Sequence, residues 1–313
     1  MIAYGPVPSR RLGQSIGINN IPPKICTYSC IYCQLGKTKN MQIKRRTFYA
    51  PEKVVEAVRR KIDGAKLNNE HIDYLTFVPD GEPTLDENLG KELLLLGEFG
   101  IKTAVISNAT LIWMDGVRKD LAKADWVSLK IDAVDQDIWR KINRPHRELG
   151  LQRILDGITV FAQSFRGDLA TETMLVQDVN DKREIVERTA SFIERLNPRK
   201  SYVSIPTRPP AEKWVKAATE SGVNEAYQIF RDHGLDTEYL IGYEGNAFAY
   251  TGNVEEDLLS ILSVHPMRRE GINNLLAKAR ADWDIVDRLI EEDKLIEMEY
   301  KSNNYYMRKL PTS

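Results

Sequence analysis

Cysteine, histidine and long apolar runs are scarce in this sequence. Three of its 313 residues are cysteines and four are histidines. The best apolar run is the four leucines at 93–96, far short of the roughly 20 residues that span a bilayer. Residues 1–6 lack the charged, then apolar, then small-residue order of a secretory signal. Free cysteines without a disulfide pattern fit a reducing compartment, so we expect a cytoplasmic protein with no membrane partner.

The three cysteines lie within eight residues, in the order Cys26-Thr-Tyr-Ser-Cys30-Ile-Tyr-Cys33. Thiolates at this C-x3-C-x2-C spacing can surround one soft metal centre, which indicates zinc or an iron–sulfur cluster. Structural zinc sites and four-iron clusters ordinarily take four protein ligands, so three leave one metal position open for chemistry. The alternatives are a zinc site completed by a histidine, and three structural cysteines grouped by chance.

The cysteine segment carries a resemblance to a known family. Cys26-x3-Cys30-x2-Cys33, with Tyr32 before the last cysteine, resembles the signature of the radical S-adenosylmethionine (SAM) superfamily. Its enzymes use the open iron of a [4Fe-4S] cluster to chelate SAM, and cleave it to a 5′-deoxyadenosyl radical that abstracts a substrate hydrogen. Segments 5–13, 21–24 and 34–36 resemble, more narrowly, a largely uncharacterised branch grouped with wyosine-synthase-like proteins that modify tRNA. The resemblance extends over most of the chain.

Acidic residues are absent from the first part of the chain. No Asp or Glu precedes Glu52, whereas that stretch has eight bases; since the chain has 44 bases and 45 acids, the remainder has 36 and 45. A basic segment near a cluster can hold a phosphate-bearing substrate, dock an acidic electron donor such as a flavodoxin or ferredoxin, or offset the charge of the cluster. It can also be a solvated face without a partner.

Strands alternate with helices over some two hundred residues, which predicts an α/β fold with a parallel sheet. About six repeats are visible, and the resemblance implies a partial (β/α)6 barrel over 1–250. The predicted strands are 13–19, 71–78, 101–107, 126–131, 173–177 and 202–205. The predicted helices are 51–62, 86–99, 114–124, 135–142, 151–165 and 181–196.

The pattern changes after residue 250. Helices are predicted at 254–263, 267–279 and 282–292, followed by a hairpin with strands 295–300 and 305–308 and a turn at 301–304. This layout predicts a small winged-helix-like domain over 251–313. The helix equivalent to a DNA-reading helix is acidic, so contact with a protein, or packing as a lid, is favoured over duplex DNA. Its charged residues are Asp282, Asp284, Asp287, Arg288, Glu291 and Glu292.

Ligands of parallel (β/α) folds bind at the carboxyl ends of the strands. Residues 80–84, Asp-Gly-Glu-Pro-Thr, are similar to the superfamily's Gly-Gly-Glu segment, which meets the SAM amino group, but Asp80 stands where the first Gly is usual. A plain turn is the alternative. The resemblance assigns Cys26, Cys30 and Cys33 to the cluster. The predicted SAM-binding residues are Tyr32, Gln34, Gly81, Glu82, Pro83, Ser107, Asn108, Ser128, Lys130 and Asp132.

Three of these polar residues, Ser128, Lys130 and Asp132, alternate along one strand and therefore share a face. Unpaired buried polar groups cost about 1–3 kcal/mol each, so these need partners or a ligand. SAM offers a carboxylate to Lys130 and hydroxyls to the other two. The alternative is a Lys130–Asp132 ion pair that fills the barrel.

Cations near two loops can hold an anionic substrate. Arg208 lies in the rigid loop 206–210, and Arg144 and His146 lie in 143–146. Solvated surface arginines are the alternative.

The leading hypothesis is a radical SAM enzyme that acts on an unidentified substrate, with tRNA modification as the first candidate. Wyosine synthases carry three further cysteines for a second cluster, and this chain has none, so wyosine synthesis itself is disfavoured. A peptide or protein substrate is the alternative within the enzyme class. A non-catalytic iron–sulfur sensor with a partner-binding C-terminal domain is the alternative outside it, and a zinc-binding structural protein is a third.

Overall fold

The computed structural model describes residues 1–240, 248, 250–264, 266–300 and 303–309. The first ten strands are β1 (Ala3–Ser9), β2 (Gly13–Ile18), β3 (Ile25–Cys26), β4 (Asn40–Met41), β5 (Tyr74–Phe77), β6 (Lys102–Ser107), β7 (Trp126–Lys130), β8 (Asp168–Met174), β9 (Lys200–Ser204) and β10 (Thr237–Leu240). The helices among them are α1 (Pro51–Leu67), α2 (Leu89–Gly97), α3 (Asp115–Leu121), α4 (Gln136–Asn143), α5 (Leu151–Ser164), α6 (Arg183–Glu194) and α7 (Glu220–Asp232).

Eight strands form one sheet in the order β1-β2-β5-β6-β7-β8-β9-β10, which curls as a half-barrel. All neighbours from β2 to β10 are parallel, and β1 runs antiparallel to β2. Parallel neighbours need crossover connections, which the helices supply, and this places the carboxyl ends of the strands on one rim. The predicted α/β partial barrel is confirmed, with eight strands in the described residues rather than six.

Helix α1 shows how the sequence builds the outer layer. Pro51 occupies the first turn, where its missing N–H is not needed, and Val54, Val58 and Ile62 recur at helical spacing and are buried. These side chains join the main core, which also contains Phe77 of β5.

Two strands at the sheet edges were not predicted. Strand β1 contains Pro6 and Pro8, which remove backbone donors, and its register against β2 shifts between Tyr4 and Val7. An edge strand tolerates both features, since it needs one hydrogen-bonded side only. The second missed strand is β10, which follows the equally unpredicted helix α7.

Strand β8 begins five residues before the start of the predicted strand 173–177 and ends three residues before its end. Its sequence, Asp-Leu-Ala-Thr-Glu-Thr-Met, has little apolar character, yet its central residues are buried. The Thr171 hydroxyl donates to Ser201 Oγ at 3.0 Å, and the Thr173 hydroxyl to the Ile131 carbonyl at 2.8 Å. Hydroxyl groups paired on the helix-facing side of the sheet, opposite the face that carries Glu172, replace the apolar pattern on which the prediction depended.

The C-terminal elements are α8 (Val254–Val264), β11 (Met267–Arg268), α9 (Arg269–Ala279), α10 (Asp284–Glu291), β12 (Leu295–Tyr300) and β13 (Asn303–Arg308). The last two strands pair antiparallel, and β11 adds to β13. Residues 301 and 302 of the predicted turn lie outside the described residues. Helix α9 begins at Arg269, two residues later than predicted, because Met267 and Arg268 pair with β13. The winged-helix interpretation and the boundary at residue 250 stay predictions.

The C-terminal elements, here called the C-terminal module, pack against the amino-terminal edge of the barrel. Tyr4 and Val7 of β1 belong to the same apolar cluster as Leu258 of α8. Lys61 of α1 lies 3.0 Å from Asp257 of α8, and both side chains are buried. None of the helices in the described part of the chain is long and apolar enough to span a membrane.

Candidate functional site

A cavity of about 320 Å³ opens at the carboxyl ends of the parallel strands. Its walls come from the cysteine loop, the 78–82 turn after β5, the end of β6, and the 204–208 loop after β9. The three cysteines line it together with seven of the ten predicted SAM-binding residues. Those seven are Tyr32, Gln34, Gly81, Glu82, Ser107, Asn108 and Lys130.

The cysteine loop is held in place by backbone hydrogen bonds to the end of α4. The Ile31 amide donates to the Ile142 carbonyl at 3.0 Å, and the Ser29 amide to the Asn143 carbonyl at 3.1 Å. On the other side, the Glu82 amide donates to the Ile25 carbonyl at 3.2 Å. The loop is therefore fixed between the end of helix α4 and the turn after strand β5.

Gly81 permits the closest of these approaches. A Cβ at this position would lie 1.8 Å from the Ile25 carbonyl oxygen, a separation that no side chain can accept. The absence of a side chain lets the 78–82 turn pack directly on the residue before Cys26. This is the backbone reason for a glycine before Glu82.

Two asparagine amides reach the cysteine sulfurs. Asn108 Nδ2 lies 3.5 Å from Cys26 Sγ, and Asn143 Nδ2 lies 3.4 Å from Cys30 Sγ. The three cysteines are free thiols, and burial raises the pKa of each. In the described residues, no three His, Cys, Asp or Glu side chains are gathered closely enough for a single metal ion. In a four-iron cluster each thiolate binds a different iron, so such thiols surround a space rather than meet at a point.

Two ionisable side chains that line the cavity each have a buried polar atom without a hydrogen-bond partner in the described residues. These atoms are Lys24 Nζ and Asp80 Oδ1. Burial lowers the pKa of Lys24 and raises that of Asp80 to about 7. Unpaired buried charges are strongly disfavoured, so the pair fits a cavity that receives a ligand with charges of both signs. A thiolate-bound cluster with the zwitterionic end of SAM has that character, and the residues present therefore fit this cofactor pair.

Glu82 connects the ends of β5 and β6. One carboxylate oxygen accepts from the Thr84 hydroxyl at 2.6 Å and from the Ser107 hydroxyl at 2.8 Å, and the other accepts from the Asn108 amide at 2.7 Å. All these donors are uncharged, and burial raises the pKa of Glu82. Lone pairs remain for one further donor, such as an ammonium group.

The barrel side of the cavity holds a buried charge cluster. Lys130 Nζ lies 2.8 Å from Glu172, which also accepts from Arg11 and, at 3.1 Å, from the Ser204 hydroxyl. Although burial opposes its ionisation, Lys130 and Arg11 hold the pKa of Glu172 well below its usual range. Lys130 therefore pairs with Glu172, and the Lys130–Asp132 ion pair considered from the sequence is not formed.

Asp132 acts behind the cavity wall. It accepts from the Tyr32 hydroxyl, from Asn143 Nδ2 at 2.7 Å and from the Met174 amide at 2.9 Å. Neither Asp132 nor Ser128 nor Pro83 lines the cavity. Ser128 is buried with a hydroxyl that has no partner in the described residues, and Pro83 begins a short 3-10 turn, Pro83–Leu85.

The predicted substrate residues separate into two groups. Arg208 lines the cavity and donates to Gln34 Oε1 at 2.6 Å, bridging the 204–208 loop and the cysteine loop. Arg144 and His146 do not line it. Arg144 ends α4 with φ of 45° and pairs with Glu212 instead.

Four residues of the site were missed by the sequence-based prediction: Lys24, Arg11, Asn143 and Glu172. Glu172 lies opposite Lys130 in the cross-strand register of the structure, but the predicted strand 173–177 began one residue after it, and Glu172 was left out of the predicted site. Lys24 precedes the first cysteine by two residues, which is a weak signal. Nothing in the sequence brings Asn143 next to Cys30.

Comparisons with known proteins agree with this geometry. The Radical SAM superfamily model matches residues 20–193. A UPF0026 protein of Methanocaldococcus jannaschii is 49% identical over 311 residues, 99% of this chain and 96% of the relative.

Two solved structures share the fold. The structure of TYW1 with a lysine-pyruvate adduct bound has a TM-score of 0.52 at 20% identity, covering 71% of this chain and 75% of that chain. SuiB of Streptococcus suis bound to S-adenosylmethionine has a TM-score of 0.53 at 15% identity, covering 71% and 49%. The chain belongs to the radical SAM superfamily, whose members bind a [4Fe-4S] cluster and S-adenosylmethionine.

Proposed function

We propose that this superfamily member is an enzyme that cleaves SAM reductively and uses the resulting 5′-deoxyadenosyl radical to abstract hydrogen from a substrate. The observation that carries the proposal is one cavity that joins three free thiols to buried, unpartnered Lys24 and Asp80. When bound, the reduced cluster supplies the electron that breaks the sulfonium bond of SAM. The chain itself supplies binding, orientation and exclusion of water.

Each wall of the cavity has a role in this proposal. Cys26, Cys30 and Cys33 would hold the cluster, and the Asn108 and Asn143 amides stabilise the first two thiolates. Hydrogen bonds to cluster sulfurs raise its reduction potential, so these amides make the electron easier to load.

The methionine end of SAM would lie between the two unpartnered charges. Lys24 would bind its carboxylate, and Asp80 and Glu82 would bind its amino group; all three line the cavity. Burial of these groups strengthens their interactions with a ligand, because few water molecules compete.

The size of the cavity limits the substrate. At about 320 Å³ it lies at the lower end of the range for small-molecule sites, roughly 300–1,000 Å³. SAM takes much of that volume. A macromolecular substrate would therefore present one nucleobase or one side chain at the mouth, where Arg208 is the predicted substrate residue that lines the cavity.

The basic amino-terminal segment gives little support to an RNA substrate. Arg11 is bound to Glu172, Lys37 lies 3.2 Å from Glu212, and Arg45 lies 2.6 Å from Asp120. RNA affinity depends largely on contacts between basic side chains and phosphates. Basic side chains that pair with carboxylates of the protein contribute less to it. This observation favours the second candidate, modification of a peptide or protein, over tRNA modification.

The reaction is tested by anaerobic reconstitution and iron analysis, then EPR of the reduced protein with and without SAM. We expect about four irons per chain, an EPR spectrum that shifts on addition of SAM, and 5′-deoxyadenosine after reduction with dithionite. An EPR spectrum that does not change on addition of SAM, with no 5′-deoxyadenosine formed, contradicts the proposal. The non-catalytic iron–sulfur sensor would then be the favoured hypothesis.

The substrate class is tested separately by filter binding of bulk tRNA in graded salt. A tRNA enzyme binds with a steep salt dependence. Absence of tRNA binding at low salt would exclude RNA as the substrate and leave a peptide or protein as the candidate.

A further inference from the structure

The 206–208 loop is a single layer between the cavity and the C-terminal module. Pro206, Thr207 and Arg208 all line the cavity. On the opposite side, the hydroxyl of Tyr300 in β12 donates to the Pro206 carbonyl at 3.3 Å, and that of Tyr305 in β13 donates to the Thr207 carbonyl at 3.1 Å. Two successive carbonyls of the loop are thus held by the hairpin.

Tyr305 is itself firmly placed. It is 1% exposed, and Arg268 Nε of β11 donates to its hydroxyl at 3.1 Å. The Arg268 guanidinium also lies 5.5 Å from the centre of the Tyr305 ring. Tyr300 contacts the Tyr305 ring edge-to-face at 6.5 Å between centroids. A buried ring held by Arg268 and Tyr300 has little freedom to follow a moving loop, so the module fixes the loop rather than the reverse.

The residue that follows these carbonyls, Arg208, lines the cavity and connects two of its loops. Arg208 donates to Gln34 Oε1 at 2.6 Å, and Gln34 follows Cys33 of the cysteine loop. The contact joins two loops that belong to opposite sides of the cavity. Displacement of the Thr207 carbonyl would move the Arg208 backbone directly, because the two are joined by one planar peptide unit.

We propose that Tyr305, assisted by Tyr300, is a positioning residue of the C-terminal module that sets Arg208 across the cavity mouth and thereby retains SAM. The proposal goes beyond the cleavage reaction, since it concerns SAM binding alone. It gives the C-terminal module a defined task at the site, distinct from recognition of a partner.

The test measures the dissociation constant for SAM of the full-length, cluster-loaded protein by equilibrium dialysis. The variants are Tyr305→Phe, Arg208→Gln and the double variant. The control is Tyr250→Phe, because the Tyr250 hydroxyl also donates to a backbone carbonyl, that of Gly252 at 2.8 Å, but does not line the cavity. Iron content and melting temperature are measured for every variant, so that a loss of cluster or of folding is recognised.

We expect Tyr305→Phe to weaken SAM binding about five- to tenfold, the effect of one hydrogen bond, with iron content unchanged. Tyr250→Phe should bind SAM as the wild type does. If Tyr305 acts through Arg208, the double variant binds no more weakly than Arg208→Gln alone.

Additive effects of the two substitutions, or wild-type SAM affinity in Tyr305→Phe, overturn the proposal. A protein that binds SAM in this pattern but forms no 5′-deoxyadenosine would contradict the proposed reaction and leave the positioning role standing.

Discussion

The two sides of the cavity bury a glutamate each, in opposite electrostatic surroundings. Glu82, on the side of the cysteine loop, is held by hydroxyl and amide donors without charge, and burial raises its pKa. Glu172, on the barrel side, is held by Lys130 and Arg11, and its pKa is lowered. Both lie near strand ends of one rim. Their hydrogen-bond partners therefore determine their roles. The Glu82 carboxylate can still accept from a cationic group of a ligand, whereas the Glu172 carboxylate is already paired with Lys130 and Arg11.

The largest contrast between the two sides concerns the cluster. We expect Cys30→Ser to reduce iron from about four per chain to near zero, because a serine hydroxyl does not replace a thiolate ligand. Glu172→Gln should keep its iron, since that residue touches none of the cysteines. Iron and sulfide analysis after reconstitution measures both, with circular dichroism to verify folding. Full iron content in Cys30→Ser would show that Cys30 is not a ligand of the cluster.

The next largest effect is the stability of Glu172→Gln. Removing the carboxylate leaves two mostly buried cations without their counter-ion, which costs about 3–5 kcal/mol of unfolding free energy at pH 7. Urea denaturation measures the loss. Glu56→Gln is the matched control, because Glu56 pairs with Arg60 on an exposed helix surface and should change stability little. An equal effect of the two substitutions would refute the buried cluster.

The effect of Glu172→Gln should also depend on pH with a definite sign. The folded-state pKa of Glu172 is lowered, so its stabilisation is complete above the ordinary glutamate pKa of about 4.3 and is lost as the pH falls below it. The difference from the wild type should therefore shrink in acid. A difference that grows in acid would contradict the lowered pKa.

Glu82→Gln should show the opposite pH dependence and a smaller effect. The new amide faces the Asn108 N–H, so we expect a loss of about 1–3 kcal/mol. Because the pKa of Glu82 is raised, the wild type loses stability as the pH rises above about 4.3, and the deficit of the variant narrows. Urea denaturation at pH 5, 7 and 8.5 measures the trend. Parallel pH curves for Glu82→Gln and Glu172→Gln would break the comparison.

The smallest effect is expected at Arg144. Its partner Glu212 is outside the cavity, and the Arg144 side chain is 40% exposed. Arg144→Gln should therefore leave stability and SAM affinity within error of the wild type, whereas Arg208→Gln weakens SAM binding. Dialysis of the two variants side by side measures the difference. A loss of SAM affinity in Arg144→Gln would show that Arg144 contributes to the site after all.

Sequence patterns predicted elements with strong apolar periodicity and failed where polar side chains fill the interior. Helix α5 and strand β7 each end within one residue of their predicted ranges, since their apolar residues repeat at regular spacing. The prediction misplaced strand β8 because hydroxyl groups pair on its buried face, and this pairing cannot be read from a single sequence. That displacement also removed Glu172 from the predicted site.

The sequence by itself determined the superfamily, the cysteine ligands proposed for the cluster and the parallel sheet, and the resemblance to the superfamily added the partial barrel. These depend on local spacing, which a linear pattern records. The tertiary structure alone decided that Lys130 pairs with Glu172, that Asn143 reaches Cys30, and that the C-terminal hairpin holds the 206–208 loop. These contacts join residues that lie 42, 113 and 98 positions apart. Their register depends on how strands and helices pack, and no local pattern specifies it.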